Sequence, residues 1–408
     1  MSIEFTLTKR QLETREAIRG LAKSVIRPQS LVWDREHGVP HDFLRNMASL
    51  ASNMGSLAMG TADALKKDDP VGTPKKKTGT NVNTVLAAEE MSWGDAGLLL
   101  SMPGPGLGGP PVRSTGTAEQ KERFFGVFRD MSTELRWGAY ALTEPAAGSD
   151  VAGIRTSCRK DKKHWVINGR KCYITNGARA AWNVVFATVD PNLGRGGHRA
   201  FVVEKGTPGF SVGRIEDKMG LRASETAELV FEDCRVPEEN LLGGEERYVT
   251  KEGFMAAMKT FDNTRPIVAA MALGIGRAAY DYARDFVKSN YALARHTPRF
   301  SAIADKLARV GRGLEVARML TWRAAWLADE EQPNAKEASM SKAAAGQAAI
   351  RACIEAIEIC GAEGSIQKDH QLLEKWFRDI KVYDIFEGTG QIQRIVIAKR
   401  LLPDLRAF

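Results

Sequence analysis

Three segments combine residue types that could do chemistry. Tyr140-Ala-Leu-Thr-Glu-Pro-Ala-Ala-Gly-Ser-Asp150 ends a β-rich run at Thr143 and passes into a Pro/Gly loop. Such a loop presents backbone N–H groups and hydroxyls to a ligand. A tight strand-end turn has the same composition. In Asn168-Gly-Arg-Lys-Cys-Tyr-Ile-Thr-Asn-Gly177, strand alternation points Tyr173 and Thr175 the same way. An aromatic plane beside a hydroxyl suits a flat, hydrogen-bonding heterocycle, and an ordinary hairpin with a buried tyrosine reads the same. In Tyr383-Asp-Ile-Phe-Glu-Gly-Thr-Gly-Gln-Ile-Gln-Arg394, Glu387 stands between an apolar stretch and a glycine-rich helix start. An apolar pocket raises a carboxyl pKa and makes it a general base near neutrality. If Thr389 caps a helix beginning near Gln391, Glu387 is equally a favourable helix-dipole charge.

These segments need elements to position them, and composition divides the chain into three zones. Residues 1–136 read as helical: Thr8–Ile26 ending at Pro28, then Asp42–Met54 and Asn83–Trp93. Thr8 with Gln11, and Thr117 with Gln120, form capping boxes, the second opening a helix through Phe128. The Gly/Pro-rich stretch Met102–Pro111 is too rich in breakers to be regular. Residues 137–247 carry short β-rich runs: Trp137–Thr143, His164–Ile167, Lys171–Ile174, Trp182–Val189, Ala200–Val203 and Glu228–Phe231. Asn168-Gly169 gives a hairpin signal between two of them, and the zone reads as an antiparallel sheet or barrel. Residues 248–408 return to long alanine-rich helices, Phe254–Tyr291, Ile303–Ala328, Ala335–Cys360 and His370–Ile385, which favour a four-helix bundle.

With 43% hydrophobic and 26% charged residues over 408 positions, the composition excludes a disordered or fibrous chain. The longest apolar run, Pro266–Gly276, is fenced by Arg265 and Arg277 and is too short to span a membrane. Glu4, Glu13 and Glu16 come early and no apolar run follows them, so no targeting segment is read and the cytoplasm is the expected compartment. The five cysteines lack Cys-x-x-Cys spacing and read as buried free thiols. The six histidines show no metal-site spacing, so no metal is expected. The net charge of +8 raises nucleic-acid binding. Much of the excess sits at Lys66-Lys67 and Lys75-Lys76-Lys77, which read as a solvated loop over 66–80, and no nucleic-acid partner is expected.

Taken together, the three segments resemble the acyl-CoA dehydrogenase family, closest in pattern to its medium-chain members. Lys218-Met-Gly-Leu-Arg222, Val230-Phe-Glu-Asp-Cys-Arg-Val-Pro237 and Phe261-Asp-Asn-Thr-Arg-Pro266 extend the likeness. It runs from about 137 to 402 and more weakly through the N-terminal helices. Several ordered motifs together are far more specific than any one of them. The resemblance implies an N-terminal α-helical domain, a middle antiparallel β domain and a C-terminal four-helix bundle. It also implies FAD, an acyl-CoA substrate, an electron-transferring flavoprotein as acceptor, and a homodimer or homotetramer.

Residue by residue, the resemblance places Tyr140, Leu142, Thr143, Gly148 and Ser149 on the strand and loop that hold the isoalloxazine. Tyr173 and Thr175 match the family's Trp and Thr beside the flavin. Arg295, Gly361, Thr389 and Gln391 are further FAD contacts. Ser149, Asp262, Thr264, Arg265 and Gly388 line the acyl-CoA channel. Glu387 matches the catalytic base; some subfamilies place the base at the position of Thr264, which cannot serve. By similarity, Glu387 takes the proton α to the thioester carbonyl and the β hydrogen leaves as hydride to flavin N5. The Glu387 backbone N–H and an FAD ribityl hydroxyl polarise the carbonyl. Two segments that grip the ADP half of FAD across a subunit interface depart from the family pattern. They are Arg295-His-Thr-Pro-Arg-Phe300, without Phe-Gly, and Glu358-Ile-Cys-Gly-Ala-Glu-Gly364. They imply weaker FAD retention, and they support a second reading, a flavin-poor or non-catalytic subunit of a hetero-oligomeric complex.

Overall fold

A computed structural model describes residues 5–54, 79–249, 252–291 and 298–402. Arg295 and most of the basic 66–80 loop lie outside the described residues. Helix α1 (Lys9–Leu21) opens under the expected capping box: Thr8 Oγ1 accepts from the Gln11 N–H at 3.3 Å, and Gln11 Oε1 accepts from the Thr8 N–H at 2.9 Å. Pro28 does not end the helical path. A π turn over Ala22–Ile26 leads into α2 (Arg27–Glu36), with Pro28 in its first turn. A proline's missing N–H is tolerated where the hydrogen-bond register changes and a new helix starts.

Helix α3 (His41–Met54) is followed by α4 (Thr80–Ser101), which outruns the expected Asn83–Trp93 and breaks locally at Asp95. The Gly/Pro stretch contains more order than its composition suggested, a 3₁₀ turn at Gly106–Gly108 and the short helix α5 (Gly109–Thr115). Its prolines fall in the first helical turn, where no N–H is needed. Thr117 and Gln120 form the second capping box, opening α6 (Ala118–Gly126).

Seven strands follow: β1 (Gly138–Ala141), β2 (Ser157–Asp161), β3 (His164–Thr175), β4 (Trp182–Thr188), β5 (His198–Glu204), β6 (Phe210–Ile215) and β7 (Thr226–Pro237). The sheet order is β1-β4-β2-β3-β7-β6, with β5 on β4. It is antiparallel except where β4 meets β1 and β2 in parallel. The hairpin expected at Asn168-Gly169 is absent. Those residues lie inside β3, in a register shift between Ile167 and Gly169. Gly169 takes φ +149, and a Cβ there would stand 2.5 Å from Thr156 Oγ1. The glycine therefore serves a close approach within the sheet. The turn itself falls at Lys162, φ 56, between β2 and β3.

The last zone holds α7 (Glu246–Val249), α8 (Glu252–Asn290), α9 (Pro298–Asp329), α10 (Ala335–Cys360), α11 (Gln367–Ile380) and α12 (Gly390–Leu401). The expected His370–Ile385 helix ends earlier, at Ile380, and a 3₁₀ turn at Lys381–Asp384 carries the chain to Glu387. Helices of the first and last zones share one core, including Met91, Leu98, Met271, Leu273, Ala349, Trp376 and Tyr383. The β zone has two cores on opposite sheet faces, one around Trp165, Phe201 and Phe231, the other around Trp182, Val184 and Phe186. All five cysteines are buried and free. Among the described residues, no helix is long and apolar enough to cross a membrane, and no group of three His, Cys, Asp or Glu could hold a metal ion.

Candidate active site

The site is built where α8, α10, β1 and the turn before α12 converge. Pro266 lies inside α8 and cannot donate to the Asp262 carbonyl. Asn334 Nδ2 takes that carbonyl instead, at 3.2 Å. The turn so held carries Asp262 and Arg265, paired at 2.9 Å, and Thr264, whose Oγ1 donates to Glu387 Oε2 at 3.3 Å.

Glu387 and Gly388 adopt successive left-handed conformations, with φ 57 and φ 87. A glutamate in that region costs roughly 1–3 kcal/mol and persists only where its surroundings fix it. Here Gln393 Nε2 donates to the carbonyls of Glu387 at 3.2 Å and Gly388 at 3.0 Å. Lys342 Nζ donates to the Gly388 carbonyl at 2.7 Å. Thr389 Oγ1 accepts from the Ile392 N–H at 3.3 Å and caps α12. A side chain on Gly388 would collide with the Gln393 amide. Burial pushes the Glu387 carboxyl up to about 7, against the pull of Arg265, the Thr264 hydroxyl and Lys342. A carboxylate serving only the helix dipole would shift downward. The shift thus favours a buried carboxyl poised near neutrality over a cap charge.

Tyr140, on β1, is half-buried with its hydroxyl enclosed, and burial together with the neighbouring Glu387 charge raises its phenol well above its usual range. Beyond β1, a buried ion pair fixes the loop. Lys171 Nζ lies 2.7 Å from Glu144 Oε1 and donates to the Leu142 carbonyl at 3.0 Å. Glu144 also accepts from the N–H groups of Arg155 at 2.7 Å and Thr156 at 2.9 Å. Burial lowers Lys171 to about 8, with Glu144 opposing. The Thr143 carbonyl accepts from the Cys172 N–H at 2.9 Å, setting the strand end beside Tyr173. Tyr173 has φ 59 within a register shift of β3, and its side chain is 66% exposed. The bulge turns a large ring outward.

Tyr140, Asp262, Thr264, Arg265, Glu387, Gly388 and Thr389 therefore gather in one place, and β1 links them to Leu142, Thr143 and Tyr173. Thr175 is half-buried opposite Thr226, Gly148 and Ser149 are exposed on the loop, and Gln391 is exposed on the first turn of α12. Gly361 ends α10 with φ 68, ψ −146. It lies 19 residues beyond Lys342, about 28 Å at 1.5 Å per residue, so one chain does not bring it to Glu387. The sequence reading left Lys342, Gln393 and the Glu144–Lys171 pair without roles. The one signal for Lys342 was a lone cation within the alanine run Ala338–Ala349.

Family models match consecutive segments: the N-terminal domain of acyl-CoA dehydrogenase at residues 8–128, its middle domain at 139–234 and its C-terminal domain at 251–402. The chain belongs to the acyl-CoA dehydrogenase family. The short-chain specific acyl-CoA dehydrogenase of Rattus norvegicus mitochondria is 36% identical over 411 residues, covering 100% of this chain and 93% of the relative. Butyryl-CoA dehydrogenase from Megasphaera elsdenii superposes with a TM-score of 0.83 at 33% identity, covering 98% of this chain and 100% of its own. A chain from the Acidaminococcus fermentans electron transferring flavoprotein study gives 0.83 at 33%, covering 99% and 100%. The motif pattern pointed to medium-chain members, whereas the first two of these are short-chain and butyryl-CoA enzymes.

This acyl-CoA dehydrogenase uses FAD, as its family does. The residues fit a flavin on structural grounds. The exposed Tyr173 ring stands beside the Thr143 strand end, whose backbone Lys171 and Cys172 hold. A Cβ added at Gly148 would meet nothing within 4 Å, so the loop is open to close approach. The N-terminus of α12 adds N–H groups suited to a negative or polar ligand.

Proposed function

We propose that Glu387 is the base that removes the α proton of a bound acyl-CoA thioester, giving the trans-2-enoyl-CoA. The observation that carries this is the desolvated Glu387 carboxyl, bonded to Thr264 and raised to about 7. Near neutral pH such a group is partly ionised and still basic enough to accept a carbon-bound proton. The Glu387 backbone N–H polarises the thioester carbonyl, so charge developing on oxygen meets a fixed dipole. Arg265 and Asp262 hold the α8 wall of the substrate channel, with Thr264, Gly388 and Ser149. FAD, when bound, supplies the acceptor for the β hydrogen, which leaves as hydride. Tyr140, Leu142, Thr143, Gly148, Ser149, Tyr173, Thr175, Thr389 and Gln391 are its contacts, with Arg295 and Gly361 at the ADP end. Glu387→Gln tests the assignment: the amide cannot accept a proton, and most of the wild-type rate in that variant would refute it.

The short-chain and butyryl-CoA relatives support a short acyl substrate and the first dehydrogenation of fatty acid β-oxidation. Rates with acyl-CoAs of increasing length test this, and a maximum at long chains would reject it. We also propose an electron-transferring flavoprotein as acceptor and a homo-oligomer, a homodimer or homotetramer, completing the flavin site between subunits. Light scattering of the protein expressed alone tests the assembly. A flavin-free monomer would instead favour the hetero-oligomeric reading. We propose the cytoplasm as the compartment; the rat relative is mitochondrial, and cell fractionation decides between the two.

A further inference from the structure

We propose that Lys342 is a positioning residue for the reaction, clamping the Glu387–Gly388 turn by its bond to the Gly388 carbonyl and keeping a cation within reach of the carboxyl. This rests on Glu387 being the base. Lys342 comes from α10, is 1% exposed, and stands amid alanines. A buried lysine is costly unless it is paired and hydrogen-bonded. Its ammonium donates to the Gly388 carbonyl at 2.7 Å, one residue from the carboxylate. Gln393, on α12, donates to the same carbonyl at 3.0 Å, so two donors hold a turn whose backbone is left-handed at both residues.

The groups acting on the Glu387 carboxyl come from three elements: Thr264 and Arg265 on α8, Lys342 on α10 and Tyr140 on β1. Arg265 and Lys342 are the cations among them, and Arg265 is already paired with Asp262. Asp384, on the turn before α12, acts on Lys342. Burial lowers Lys342 to about 8, while Asp384 and Glu387 pull it back up. Lys342 is therefore charged while Glu387 ionises, and it favours the carboxylate form.

The two functions separate by substitution. Lys342→Gln keeps a donor for Gly388 and loses the charge; Lys342→Met loses both; Lys342→Arg keeps both. The test is the pH profile of kcat/KM on the FAD-loaded enzyme, with Glu387→Gln alongside and flavin content and thermal melting as independent readouts. Both neutral variants are expected to move the limb controlled by Glu387 to higher pH, by about one unit for a lost neighbouring charge. That lowers kcat/KM about tenfold on the acid side of the limb. Lys342→Arg restores the limb. Lys342→Met, without the donor, also loses kcat on the alkaline plateau, whereas Lys342→Gln keeps it. If Glu387→Gln is inactive but the Lys342→Gln limb stays at the wild-type pH, the charge role is overturned while the base assignment stands. If Glu387→Gln stays active, both fall. Should Lys342→Met fail to fold, Gln and Arg alone decide the outcome.

Discussion

At Glu387 burial lifts the carboxyl from its ordinary value of 4.5 to about 7. Between those values the folded protein holds a proton that the unfolded chain has released. The folded pKa is the higher one, so this stabilisation is complete below about pH 4.5 and lost as pH rises through 7. Glu387→Gln removes that loss. The variant is expected to melt at a higher temperature than wild type at pH 8.5, by up to about 3 kcal/mol of stability. The gap should narrow to below about 1 kcal/mol at pH 5; an equal gap at both pH values would contradict a raised folded pKa. In the wild type, kcat/KM for a short acyl-CoA is expected to rise with pH through a limb near 7, as the carboxyl ionises. A rate flat from pH 5.5 to 8 would count against it.

Strands and loops form the side of the site assigned to the flavin in our proposal. The Glu144–Lys171 pair is buried and ties the loop after β1 to β3. Lys171→Met leaves Glu144 as an uncompensated buried charge, which costs about 3–5 kcal/mol. It also releases the Leu142 carbonyl, so lower FAD content per chain is expected along with the lower denaturation midpoint. Full flavin content in this variant would show that the pair does not position the loop. Local signals in the sequence were reliable here. Both capping boxes form because they need only residues three apart. Signals that depend on a distant partner misled: Gly169 serves contact with Thr156, and Pro28 is accommodated by a π turn. Tyr173 and Glu387 were legible by type, but their left-handed backbones and the Lys342 clamp exist only through tertiary contacts.

Across the molecule, a second buried cluster joins helices to sheet. Lys375 Nζ on α11 lies 2.9 Å from Asp95 Oδ2 and 2.5 Å from Asp379 Oδ2. Asp95 accepts from Ser30 Oγ on α2, and Asp379 accepts from the Leu221 N–H at 2.6 Å. The Lys218–Arg222 motif is thereby seated on α11, where a side chain on Gly220 would strike the Arg378 backbone. Lys375→Met strands two buried carboxylates and is expected to cost about 3–5 kcal/mol. Limited proteolysis should then cut near Lys218–Arg222, and wild-type protease resistance would oppose this account. The zones read from composition are thus not independent: one core spans the first and last, and this cluster binds the middle one to them.

The most direct test of the central claim is anaerobic mixing of the FAD-loaded protein with butyryl-CoA, followed by its visible absorbance. Rapid bleaching of the flavin band in the wild type, abolished in Glu387→Gln despite equal flavin content, is the predicted result. Bleaching at a similar rate in both proteins, or no bleaching of the loaded wild type by any acyl-CoA, would contradict it.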